Sequence, residues 1–86
     1  MAPEELLNYL RRQPFVPFRI TLTEGTTYEV LHPELCLAGR RSAHIGLVKA
    51  GDPDLLFERS VIVDMLHIVK IEAIDGKVSS TSQGQA

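Results

Sequence analysis

The chain of 86 residues has little of what small secreted proteins and nucleic-acid-binding proteins depend on. Its single cysteine, Cys36, allows no disulfide within the chain, which favours a reducing compartment. It contains no tryptophan, two tyrosines and three phenylalanines, too few for a platform on which nucleic-acid bases stack. Nine Lys and Arg residues against eleven Asp and Glu residues give a net charge of −2, which disfavours nucleic-acid binding through overall charge.

A long apolar segment is also missing. The N-terminal sequence MAPEELLNYL carries acidic residues where a signal peptide carries basic ones, and its apolar run is too short to span a membrane. We therefore expect a cytoplasmic protein without membrane contact. The 44% hydrophobic content suits one core, so residues 1–75 are predicted to form a single domain. The polar tail, 76–86, has nothing to bury and is predicted to be disordered.

A short helix is predicted at residues 3–12. Pro3 suits the first turn of a helix, where a missing N–H costs nothing, and Pro14 ends the segment. One apolar stripe runs along it, formed by Leu6, Leu7 and Leu10. Ten residues are too few for a stable isolated helix, so we expect the stripe to pack on a sheet.

The clearest strand signal is an alternation of apolar and polar residues on both sides of Glu24-Gly25, which predicts a β-hairpin. His32-Pro33-Glu34 interrupts its second strand, because proline cannot donate to a central ladder. Either extended structure over 35–38 or a helical turn over 33–38 follows. Further strands are predicted within 43–49, 55–63 and 68–74, joined by a turn at 39–42, a loop at 50–54 and a short helical turn at 64–67.

This order of elements predicts a mainly β (α+β) fold. An N-terminal helix would precede a five-stranded antiparallel small barrel of SH3-like or Sm-like type. A strongly bent open sheet is the alternative, because periodicity does not reveal whether strands close.

Two segments carry a family resemblance, PFVPFRITLTEGTTYEVLHPELCLAGR and VDMLHIVKIEAI. They resemble a family of short, uncharacterised bacterial proteins with a PFxPFRIxLxDG opening, an HPE bend, a Gly-Arg turn and a terminal LHIxxIE segment. A weaker similarity is to Sm-like proteins, in which a helix precedes a five-stranded barrel and the first hairpin turns at a dipeptide similar to Glu24-Gly25. The Sm asparagine that reads RNA, expected near Leu35–Leu37, is absent, as is the Arg-Gly pair of the second Sm motif. The similarity therefore implies the barrel shape and not the RNA site.

The basic residues Arg40 and Arg41, followed by His44, form the candidate contact for an anion or a nucleic acid. Two guanidinium groups on one turn can hold a phosphate or carboxylate by paired hydrogen bonds. The alternative interpretation is a solvated turn whose charges protect a strand edge.

Cys36 is the candidate nucleophile, with His32 or His44 as its base. Its position between two leucines favours a buried structural role instead. The same three residues, with Glu34, offer metal-ligating atoms, but their spacings match no closed zinc pattern. We therefore predict no catalytic residue, no metal site and no cofactor.

We expect a non-enzymatic interaction module that self-associates or binds a protein partner. One alternative is an Sm-like nucleic-acid-binding protein that uses Arg40, Arg41 and His44, with help from Arg11 and Arg12. The other is a small enzyme or metal-binding protein that uses Cys36.

Overall fold

The computed structural model of the protein describes residues 1–48 and 57–74. The predicted loop at 50–54 and the predicted tail at 76–86 lie outside these residues. The described part has one helix and six strands: α1 (Pro3–Leu10), β1 (Phe18–Leu22), β2 (Thr27–Val30), β3 (Cys36–Ala38), β4 (Ser42–Val48), β5 (Phe57–Asp64) and β6 (Ile68–Ala73). Neighbouring strands are antiparallel and form two sheets, ordered β2-β1-β6 and β3-β4-β5. Within the described ranges, no helix has the length and apolar character needed to cross a membrane.

The predicted first hairpin is confirmed. β1 and β2 pair with Ile20 opposite Tyr28. Gly25 has a φ of 99°, a conformation that favours glycine because it lacks a Cβ. The Gly25 N–H donates to the Leu22 carbonyl at 2.9 Å, and the Leu22 N–H donates to the Thr26 carbonyl at 2.8 Å. These two bonds close the turn.

The prediction of a five-stranded barrel is wrong, since the described residues contain six strands in two small sheets and no closed barrel. The extra strand arises at Pro33, which has no N–H to continue the β2 ladder. A 3₁₀ turn over Pro33–Leu35 redirects the chain, and β3 begins at Cys36. Both interpretations of this segment were half right: the turn is helical but ends at Leu35, and the residues after it are extended.

The core lies between the two sheets and is covered at one side by α1. Phe18 and Ile20 from β1, Ile45 from β4 and Leu6 from α1 are completely buried. The ring of Tyr9 lies 5.3 Å from that of Phe18, centroid to centroid. The leucine stripe therefore packs α1 onto the sheets as predicted, with Leu6 as its buried member.

A second 3₁₀ turn, Met65–His67, links β5 to β6 where a short helical turn was predicted. Asp64 caps it, because its Oδ1 accepts the Leu66 N–H at 2.9 Å. The Met65 N–H donates to the Arg41 carbonyl at 2.7 Å. This bond fixes the β3–β4 turn, with its two arginines, beside the Met65–His67 turn.

Candidate functional site

The outer face of the first sheet carries charged side chains that form ion pairs with one another. Arg19 on β1 lies opposite Glu29 on β2 and Glu72 on β6. Its guanidinium is 3.0 Å from the Glu29 carboxylate and 3.7 Å from that of Glu72. Lys70 Nζ is also 3.7 Å from Glu72 Oε1. Exposed pairs of this kind contribute little to stability, but they keep the face solvated.

The outer face of the second sheet has the opposite character. Leu37, His44 and Ile62 lie directly opposite one another on β3, β4 and β5 and form one row across the sheet. Leu37 is 70% exposed and Ile62 is 64% exposed. In the neighbouring row, Cys36 lies opposite Ile45, and both side chains are buried on the other face of the sheet. This sheet therefore has apolar side chains on both faces, a pattern typical of strands that are covered on both sides.

A shallow depression of about 210 Å³ lies next to this row. It is lined by Glu34, Leu35, Leu37, His44, Ile45, Gly46, Phe57 and Ser60. A Cβ added at Gly46 would lie 3.3 Å from the Phe57 Cβ and 3.4 Å from Leu35 Cδ2, so glycine keeps the floor open. Phe57 is itself 60% exposed. We call Leu37, His44, Gly46, Phe57 and Ile62 the apolar face.

The structure separates the three predicted contact residues. Arg40 and Arg41 are exposed and line one depression of about 380 Å³, together with Met1, Asp64, Met65 and Leu66. His44 belongs to the apolar face and lines the depression of about 210 Å³. Within residues 1–48 and 57–74, neither arginine forms an ion pair. The turn therefore places Arg40 and Arg41, but not His44, at the depression of about 380 Å³.

Cys36 is 4% exposed and faces the core opposite Ile45. Burial raises the pKa of its thiol from 9.0 to about 11, because a buried thiolate loses its hydration. Its neighbour in the next row, His44, points to the opposite side of the sheet, so His44 is not placed to act as its base. Among the residues that the structure describes, no three His, Cys, Asp or Glu side chains gather where a metal ion could bind.

The other cations and histidines occupy simpler positions. The Arg12 guanidinium lies 4.4 Å above the Tyr9 ring, a cation–π contact at the end of α1. His67 is exposed, with Nδ1 3.5 Å from the Thr23 hydroxyl. The Thr23 N–H donates to the His67 carbonyl at 2.9 Å, and this hydrogen bond connects the first hairpin to the Met65–His67 turn.

Sequence reasoning missed Leu37, Phe57 and Ile62 as surface residues. For Leu37 and Ile62 a signal was present in two short runs, 35–38 and 61–63, where consecutive residues are all apolar. Such a run places apolar side chains on both faces of a strand, and one small core covers only one of them.

No protein-family model, curated protein or solved structure matches the chain. The resemblance to short bacterial proteins and the weaker similarity to Sm-like proteins therefore stay predictions.

Proposed function

We propose that this domain is a non-enzymatic interaction module that binds a protein surface through its apolar face. The observation that carries the proposal is the exposed row of Leu37, His44 and Ile62. On the outer face of the first sheet, Arg19 forms ion pairs with Glu29 and Glu72. The apolar face has no such pairs among the residues that the structure describes, and it exposes large aliphatic side chains, which is typical of a protein contact site.

The energy available from this face fits a reversible contact. An apolar patch of roughly 300 Å² contributes on the order of 8 kcal/mol when it is covered, at about 25 cal/mol per Å². Association costs of about 4–15 kcal/mol oppose it. The net gain is at most about 4 kcal/mol, so binding by this face alone is millimolar at best and a partner must add further contacts.

The position of Cys36 supports a non-enzymatic role. A thiol that is buried and has a raised pKa holds little thiolate at neutral pH, and thiolate is the nucleophilic form.

Site-specific photo-crosslinking in cells tests this proposal. A photoreactive amino acid at position 37 or 62 should give covalent protein adducts, because both side chains lie in the contact. The same amino acid at Thr21, on the charged sheet, is the matched control and should give few adducts. Absence of adducts from both apolar positions would contradict the proposal, and mass spectrometry of any adduct identifies the partner.

A second candidate function, nucleic-acid binding, is favoured by Arg40 and Arg41. Both are exposed, border the 380 Å³ depression and have no ion pair in the described part of the chain. If this function holds, single-stranded RNA should bind at low salt, and an Arg40→Ala/Arg41→Ala variant should bind at least tenfold more weakly with a smaller salt dependence. Arg19→Ala/Lys70→Ala removes the same charge from the other sheet and should bind like the wild type. No binding at low salt would rule this candidate out.

A further inference from the structure

We infer that the outer edge of β5 binds an extended segment of another protein, which joins the second sheet as a fourth strand. In the described part of the chain, β5 is an edge strand of the order β3-β4-β5. The inference goes beyond the proposed function, because it concerns the edge of the sheet and not its outer face. It rests on the backbone groups of β5, on the side chains beside them and on a comparison with the other strand edges.

The hydrogen bonds of the second sheet show in which direction each backbone group of β4 points. At the β3–β4 turn, the Gly39 N–H donates to the Ser42 carbonyl at 2.8 Å, so Ser42 bonds towards β3. In an antiparallel ladder, a residue that bonds to one neighbouring strand alternates with a residue that turns both of its groups away from it. The bond from the Met65 N–H to the Arg41 carbonyl, at 2.7 Å, fits this alternation, because it places Arg41 among the residues that bond towards β5.

Two residues in the middle of β5 therefore present backbone groups to the outside. Ser60 lies opposite Gly46 and Ile62 lies opposite His44, at positions where β4 bonds towards β3. Each of the two β5 residues directs its N–H and C=O away from β4. Within residues 1–48 and 57–74, no strand pairs with this edge and no other backbone group bonds to it. The two donor–acceptor sets lie about 6.8 Å apart, which is the two-residue repeat of an extended chain, so another extended backbone matches them.

The side chains beside this edge are apolar on both faces of the sheet. On the outer face, Ile62 is 64% exposed. On the core face, Val61 ends the row that begins with Cys36 and Ile45, and it is half-buried whereas the other two are buried. Directly opposite residues of neighbouring strands have Cβ atoms about 4.5–5.5 Å apart. A fourth strand with consecutive apolar residues would cover both Val61 and Ile62, so the partner segment is uncharged and apolar on both faces at its centre.

The other strand edges of the described residues are less suited to strand addition. β2 has four residues and β3 has three, and α1 lies close to β3. β6 carries the Lys70–Glu72 ion pair, and charged side chains protect an edge against pairing. β5 has eight residues, its charges lie at its two ends, and the segment 60–63 is uncharged. Strand addition gains affinity from backbone hydrogen bonds and specificity from the side chains, and β5 offers both.

Titration of the isotope-labelled full chain with a synthetic peptide, followed by NMR, tests the inference. The probe is Ac-Glu-Thr-Val-Val-Val-Thr-Lys-NH2, which has no net charge and is apolar on both faces at its centre. At millimolar concentration it should shift the amide signals of residues 60–63 in a saturable manner. The matched control is the same peptide N-methylated at its three valines, which keeps the side chains but lacks their N–H donors, so it should cause no saturable shift. Shifts that are absent with the probe, equal with the control or confined to the Arg40-Arg41 turn would overturn the inference.

Two substitutions at Ser60 test the same edge from the side of the protein. Ser60→Pro removes the outward N–H and leaves the bonds to β4, so the peptide should bind at least tenfold more weakly. Ser60→Ala keeps this N–H and should bind like the wild type. Circular dichroism checks that both variants are folded, and if Ser60→Pro unfolds, the N-methylated peptide decides. A folded Ser60→Pro variant that binds as tightly as the wild type would overturn the inference. Crosslinking at position 37, two strands from the edge, reports on the apolar face alone, so this inference and the proposed function fail separately.

Discussion

At the scale of single residues, Cys36 shows how a strand position decides the chemistry of a side chain. Its row faces the core, where Ile45 lies opposite and burial raises the pKa of the thiol to about 11. At neutral pH the thiol is therefore protonated and packs as a small apolar group. One row along the same strands, His44 is exposed, so the two residues do not act together.

The raised pKa of Cys36 predicts a loss of stability in alkali. The folded pKa of about 11 lies above the ordinary value of 9.0, so this contribution to stability is fully present below pH 9.0 and is lost as the pH rises towards 11. The difference corresponds to roughly 2–3 kcal/mol. Urea unfolding at pH values across this range should show that the wild type loses more stability than Cys36→Ala. All other ionisable groups are the same in both proteins, so equal losses of stability would contradict the prediction.

At the scale of elements, α1 is too short to be stable alone and depends on its packing. Leu6 is the buried residue of this helix and belongs to the same apolar cluster as Phe18 and Ile20. The helix also lies close to β3, so it contacts the edge of the second sheet as well as the first. It therefore contributes to the core between the sheets.

Leu6→Ala should lower the free energy of unfolding by about 2–5 kcal/mol, because it removes a buried side chain and leaves a cavity. Asn8→Ala, at an exposed position of the same helix, is the control and should change the stability by less than about 0.5 kcal/mol. Urea titrations followed by circular dichroism measure both. A loss below about 1 kcal/mol for Leu6→Ala would show that α1 is not part of the cooperative core.

At the scale of the whole molecule, the two sheets turn different surfaces outward. The first carries the ion pairs of Arg19 and Lys70, and the second carries the apolar face. The core holds the sheets together by their inner faces, and within residues 1–48 and 57–74 both outer faces have exposed side chains. The contrast between these faces is the basis of the proposed protein contact site.

The sequence by itself determined the elements whose signals are local. Pro3 and the leucine stripe predicted α1, and the alternation around Gly25 predicted the first hairpin. The residues around Asp64 predicted the helical turn before β6. Each of these depends on neighbours within a few positions, where periodicity and turn residues are sufficient. Pro33 was recognised as an interruption, but its effect on the number of strands was not.

The tertiary structure decided which face of each strand is buried. In 35–38 and 61–63 the side chains on both faces of the strand are apolar. The sequence pattern therefore does not reveal which face points to the core. The packing of one sheet on the other decides this, and it buries Cys36 and Val63. The same packing leaves Leu37 and Ile62 exposed on the outer face of the second sheet. It also places His44 at a different depression from Arg40 and Arg41. Burial of a strand face is a property of the elements that cover it, and these elements are distant in the sequence.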